Sequence, residues 1–168
     1  MSKIINISKK SQIKKKYNQL DCSLNNLYSE QSKFYLNNQI ILINKLYLNE
    51  DFTERKELTT NLNNKINSYK QQDIKRNIHD DNTLILFENL IEKLLLSRLK
   101  CYYCKNNLYL FYLNIREKYQ WTLDRIDNNK NHSNENTLIS CLECNLKRRV
   151  QNKDAFLFTK QLKIKKQN

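Results

Sequence analysis

Apolar positions between residues 50 and 100 recur at helical spacing. Leu58, Leu62, Ile66 and Tyr69 step by four, four and three, which sets one apolar stripe along a helix. Asp51, three residues ahead of Glu54, reads as a capping box opening that helix. Leu84, Phe87, Leu90/Ile91 and Leu94/Leu95 form a stronger stripe, with Asp80, Asp81, Asn82 and Thr83 ahead of it as capping candidates. Residues 17–28 and 34–48 also read as helices. Stripes of this kind mark core and helix-packing faces and name no chemistry.

The pattern changes past residue 100. Residues 108–115 are dense in aromatic and aliphatic side chains and predict a strand. Residues 121–127 alternate loosely and predict a second one. A polar loop follows over 128–136, then a short strand over 137–140. From about Leu142 the chain reads as a helix with Leu146, Val150 and Leu157 on its inner side. The fold class expected is α+β: a helical region over 1–100, packed on or tethered to a second region over 101–168.

Composition adds charge and little else. The chain of 168 residues carries 30 Lys+Arg against 17 Asp+Glu, a formal net charge of +13. That balance favours a polyanionic partner, nucleic acid or an anionic membrane surface. The most apolar runs, 40–43 and 94–96, are far short of the ~20 residues a spanning helix needs. Glycine and proline are absent while Lys, Asn, Ile and Tyr abound, which is the mark of an AT-rich genome, such as that of a virus, organelle, protist or low-GC bacterium. Turns must then rest on Asn, Asp and Ser. The first twenty residues hold six lysines and no acid, read as a solvated basic arm. No secretory leader is recognised there, so an intracellular setting is expected.

Four of the five cysteines fall into two C-x-x-C pairs, Cys101/Cys104 and Cys141/Cys144. Two thiolates separated by two residues can face one tetrahedral ion, and a second pair closes its shell, as structural zinc requires. The gap of 36 residues between the pairs exceeds the ~15–20 of a simple ribbon, so something folds between them. Cys22, left over, reads as a small buried helix residue.

The run Leu123-Asp-Arg-Ile-Asp-Asn128, then His132, Asn136 and Cys141-x-x-Cys144-Asn145 with Lys147, Arg148 and Arg149, resembles the HNH endonuclease motif in its Asp-Arg-Ile-Asp, viral or phage form. The resemblance covers roughly residues 101–152. It implies a zinc-braced ββα-metal unit and cleavage of DNA phosphodiester bonds with Mg²⁺ or Mn²⁺. Asp124 and Asn145 match the family's divalent-cation ligands, and Asn136 matches the asparagine that holds the hairpin loop and orients catalytic groups. Lys147, Arg148 and Arg149 would contact nucleic acid, DNA more than RNA, and the spacing of Asn145, Arg148, Arg149 and Asn152 sets them on one helix face.

Position 125 departs from the family. A histidine stands there as general base in the usual pattern, whereas Arg125 stays protonated and cannot take a proton. It can clamp a phosphate or brace a carboxylate. The base then falls to His132, whose imidazole titrates near neutrality, or to Asp127. Two other readings stay open: a catalytically inactive zinc module that binds nucleic acid within a larger nucleoprotein assembly, and a protein-interaction module whose helices carry the function.

Overall fold

The computed structural model describes residues 32–162. The basic arm, Cys22, the helix expected over 17–28 and residues 163–168 lie outside the described residues. In chain order the elements are α1 (Leu36–Tyr47), α2 (Arg55–Lys75), α3 (Phe87–Leu96), β1 (Trp121–Arg125), β2 (Thr137–Cys141), α4 (Leu142–Arg148) and α5 (Lys153–Gln161). The described protein is thus mixed helix and sheet, with a cysteine cluster towards its C-terminal end.

The helical stripes do what their spacing requires. Leu58, Leu62, Ile66 and Tyr69 are all buried on α2, and Leu90, Ile91 and Leu94 on α3. Residue 100 does not separate two cores. Leu42, Leu58, Leu90, Leu108, Trp121, Ile139 and Phe156 belong to one buried cluster, so the helical part packs on the cysteine-bearing part.

Neither expected cap forms. α2 starts at Arg55 with no side-chain cap, because the Asp51 carboxylate turns to the Arg55 guanidinium, 3.5 Å away. α3 starts later, at Phe87, again uncapped. Asp80 instead accepts from the backbone N–H of Asn82 and the hydroxyl of Thr83, a local turn that competes with helix initiation.

Residues 108–115 do not form the expected strand. Their regular pairing stops at an isolated bridge between Tyr109 and Gln120. The reason lies in α1, where Gln39 is fully buried. Its Oε1 accepts from the N–H groups of Leu110 and Phe111, and its Nε2 donates to the carbonyls of Phe34 and Phe111. One side chain thereby takes the backbone groups a neighbouring strand would have used. Leu108, Leu110 and Phe111 point into the core, while Leu113 and Ile115 are exposed.

β1 and β2 pair antiparallel with Trp121 opposite Cys141 and Asp124 opposite Leu138. Chain order strand, polar loop, strand, helix is met, but the last helix is not continuous. It breaks at Arg149, whose φ of 53° lies in the left-handed region that favours glycine. With no glycine in the chain, Asn49 and Asn77 take such positions as expected, but so do Arg98, Leu99 and Lys105. The break rotates the inner face. Leu146 and Val150 are exposed, not inward, and Phe156 is the buried apolar residue of α5, with Leu157 half-buried beside it.

Replacing Gln39 by Leu should strip four hydrogen bonds from the 34–111 junction. We expect a loss of about 2–4 kcal/mol in the urea unfolding of the folded protein, since buried N–H groups left unpaired cost ~1–3 kcal/mol each.

Candidate functional site

The four sulfurs of Cys101, Cys104, Cys141 and Cys144 lie within 4.8 Å of one another, Cys104 Sγ and Cys141 Sγ being 3.9 Å apart. A tetrahedron with metal–sulfur bonds of ~2.3 Å has edges of about 3.8 Å, so the cluster could hold a metal ion such as zinc. Local backbone supports it: Cys101 Sγ accepts from the Cys141 N–H and Cys141 Sγ from the Cys144 N–H, both at 3.3 Å. The first pair is docked on β2 through Tyr102 N–H to the Ile139 carbonyl, 2.9 Å. Sulfur-to-sulfur hydrogen bonds from Cys141 and Cys144 hold the Cys101 thiol far below its usual range, and giving them pushes Cys141 up to about 12 and Cys144 higher still. Four sulfurs this close cannot all ionise unaided; a dication is what permits it.

β1 is buried along its whole length, and its period of two divides the chemistry between two sides. Thr122 and Asp124 turn towards α4. Asp124, 3% exposed, accepts from Arg148 Nε at 2.7 Å and Nη2 at 2.9 Å, and from the Tyr103 hydroxyl at 2.6 Å. Arg148, 1% exposed, also donates to the carbonyls of Arg125 and Gln151. Burial pushes the Asp124 carboxyl up, and the Arg148 and Tyr103 donors pull it back. Asn145 donates its amide to Thr122 Oγ1 and the Leu123 carbonyl. The expected divalent-ion pair Asp124 and Asn145 therefore does not fit a cation as placed, because Asp124 is already matched by a guanidinium and a phenol.

The expected nucleic-acid contacts separate likewise. Arg148 is spent inside the protein, Lys147 is exposed and paired with Glu143 at 2.7 Å, and Arg149 alone reaches the cleft described next. Asn152 is not on their face; its side chain caps α5 through the N–H groups of Asp154 and Ala155.

The other side of β1 meets α2. Arg125 Nη1 lies 3.5 Å from Asp73 Oδ1 and donates to the Lys130 carbonyl. Asp73 is fully buried near the C-terminal end of α2. Its Oδ1 is 2.7 Å from His132 Nδ1 and its Oδ2 accepts from the His132 backbone N–H at 2.8 Å. Tyr69 lies against the imidazole at 4.6 Å between centroids and takes the Leu123 N–H on its hydroxyl. Burial holds His132 below the usual imidazole value; Arg125 and Arg76 push the same way, and Asp73 opposes them. The ring thus reaches neutral pH uncharged, with Nδ1 held from behind.

Asn136 bridges the loop between the two strands. Its Oδ1 accepts from Asp127 N–H, and its Nδ2 donates to the carbonyls of Asp127 and Asn131. Asp127 is the other partner in that turn, accepting from Asn129 N–H at 2.9 Å. Its carboxylate is a loop brace, not a group presented beside His132.

A cleft of about 600 Å³ runs between α2 on one side and β1 with α4 on the other. Lys65, Arg76, Arg125 and Arg149 line it together with His132, Asp124 and Asn145. Lys65 sits over the Trp121 ring at 4.3 Å and donates to the Trp121 carbonyl and Gln120; burial lowers it to about 7. The sequence reading missed Asp73, Lys65 and Arg76. Asp73 had a signal, since it stands four residues beyond Tyr69 and continues the α2 apolar stripe with an acid. No known protein family, curated protein or solved structure matches the chain, and no described helix is long and apolar enough to cross a membrane.

Asp124→Asn should destabilise the folded protein by about 3–5 kcal/mol by leaving Arg148 buried without its counter-charge. The check is the urea midpoint at neutral pH, where a change below 1 kcal/mol would contradict the pairing.

Proposed function

We propose that the chain is an HNH-like endonuclease, braced by a zinc ion on Cys101, Cys104, Cys141 and Cys144, whose general base is His132. The observation that carries this reading is the His132 imidazole, pinned at Nδ1 by Asp73 and lining a cleft with four basic side chains. Support comes also from the strand–strand–helix order with Asn136 closing its loop, which is what the resemblance implies.

In the proposed reaction a water attacks phosphorus and gives its proton to His132 Nε2. The new P–O bond forms as the ester P–O bond breaks, and the leaving oxygen takes a proton from solvent. Arg125 stabilises the charge that grows on the phosphate oxygens. Asp73 is a positioning residue: it fixes the tautomer with Nδ1 protonated and leaves Nε2 to accept. No step is routed through a divalent cation, since Asp124 is engaged by Arg148.

The zinc brace makes its own prediction. Purified protein should carry one zinc per chain by elemental analysis, lost in Cys141→Ser together with cooperative unfolding, because such binding supplies on the order of 10 kcal/mol of folding energy.

For catalysis, a plasmid-nicking assay on zinc-loaded protein, with and without Mg²⁺ or Mn²⁺, should show His132→Ala reduced by about 10²–10⁴-fold. Asp73→Asn should lose at least about tenfold. Its acid limb should move to lower pH, because Asp73 holds the imidazole value up. Wild-type rate should rise through a value below the ordinary imidazole range and stay flat across neutrality, as only neutral His132 accepts a proton. Undiminished nicking by His132→Ala rules this base out.

A second reading rests on Arg125 at the family's base position and on the closed Asp124–Arg148 pair: a module that binds nucleic acid without cutting it. DNA retained but never nicked would establish that reading instead.

A further inference from the structure

The cleft has a charge imbalance of which the catalytic step uses only Arg125. Three arginines line it, Arg76, Arg125 and Arg149, with Lys65 only partly charged at neutral pH, against one lining carboxylate, Asp124, which is already neutralised by Arg148. Asp73, behind the wall, is shared by His132 and Arg125. Arg76 and Arg149 are exposed, and their guanidinium groups make no hydrogen bond or ion pair with any described residue. Arg76 is close enough to Arg125 and His132 that its charge lowers the proton affinity of both. Like charges gathered around one space without counter-ions are costly, and an anion in that space removes the cost.

The placement on α2 is specific. Lys65, Ser68, Tyr69, Gln72 and Arg76 recur at helical spacing, so one face of α2 forms the whole far wall. On the opposite edge, beside Arg149, Leu146 and Val150 are 64% and 84% exposed. A cleft with cations within and bare apolar side chains at one rim matches a polymer that carries phosphates together with sugar and base faces. A small free phosphate would leave the apolar rim uncovered.

We propose that α2, which lies outside the HNH-like unit, is the second wall of the substrate site, and that Arg76 and Arg149 grip the phosphodiester backbone of a nucleic-acid strand on either side of Arg125 and His132. The proposal rests on the nucleic-acid reading above and assigns its backbone contacts. Arg76 also suits the C-terminal end of α2, where a cation complements the helix dipole. That role by itself would leave binding unchanged when the arginine is removed.

The test is fluorescence anisotropy of a labelled DNA duplex, and of a labelled RNA strand, with the full zinc-loaded chain across a chloride series. Arg76→Gln and Arg149→Gln are compared with Lys56→Gln, an exposed residue of α2 away from the cleft with the same change in charge. Each cleft variant should weaken binding roughly five- to tenfold at low salt and reduce the slope of log K against log salt by about 1, with Lys56→Gln near wild type. Zinc content and the unfolding midpoint should stay at the wild-type level in all three, because these side chains are exposed. If wild type binds and the cleft variants keep the affinity and slope of Lys56→Gln, this assignment is overturned while the nuclease reading stands. If wild type binds neither probe at low salt, both fall. Inorganic phosphate that displaces the duplex better than chloride at matched ionic strength would also overturn the strand in favour of a small anion.

Discussion

A carboxylate sealed from water must find its donors inside the protein, and Asp73 finds them on the hairpin. At the end of a 21-residue helix with few apolar residues, it takes the His132 N–H, the His132 ring and the Arg125 guanidinium at once. Losing Arg125 would leave a buried carboxylate without its counter-charge, and losing either His132 contact would leave it short of a donor. The relative placement of α2 and the loop after β1 is therefore fixed by polar matching, with Tyr69 and Lys65 adding contacts to Leu123 and Trp121 further along the same face. The cleft exists because these contacts hold its two walls in one register.

The second constraint is the alternation of β1. Adjacent residues of a strand face opposite ways, so Asp124 and Arg125 serve different partners although they are neighbours in the motif. Asp124 joins Tyr103 of the first cysteine pair to Arg148 of the helix that follows the second, and so ties the two ends of the cysteine unit together. Arg125 belongs to the cleft. Each charge has an opposite charge within reach, and the strand between them is buried on both faces without an orphaned ion.

Periodicity made α2 and α3 legible, and the C-x-x-C spacing made the sulfur cluster legible, because both are local repeats with one geometric solution. Asn136 was singled out only through the resemblance, and its contacts in the loop use a donor and an acceptor on one short side chain. Arg148 was not legible. Helical spacing puts it beside Asn145 and Arg149, but it cannot say that the helix would break at Arg149 and turn Arg148 inward to a buried carboxylate. Residues 108–115 carried the composition of a strand, and only a distant glutamine on α1 decided otherwise. Gln39 and Asp73 share one signature, a polar residue at the next position of an apolar stripe. Such a residue is buried with its partners, and the partners lie 72 and 59 residues away, beyond any local pattern.

Under the proposed nuclease function, Arg125 and His132 have complementary uses. Burial holds the His132 imidazole below its usual value against the pull of Asp73, and the guanidinium at the end of β1 adds to the effect of burial. Alone it would also repel the imidazolium formed as the proton arrives. Asp73 offsets this by touching both groups, so the charge gained by His132 in the proposed step is met by a counter-ion already in place. In the same step the guanidinium has its own use, since the phosphate becomes more negative as the imidazole becomes positive. In the proposed step the loop would thus supply the base and the strand a fixed cation, so that each group keeps one task.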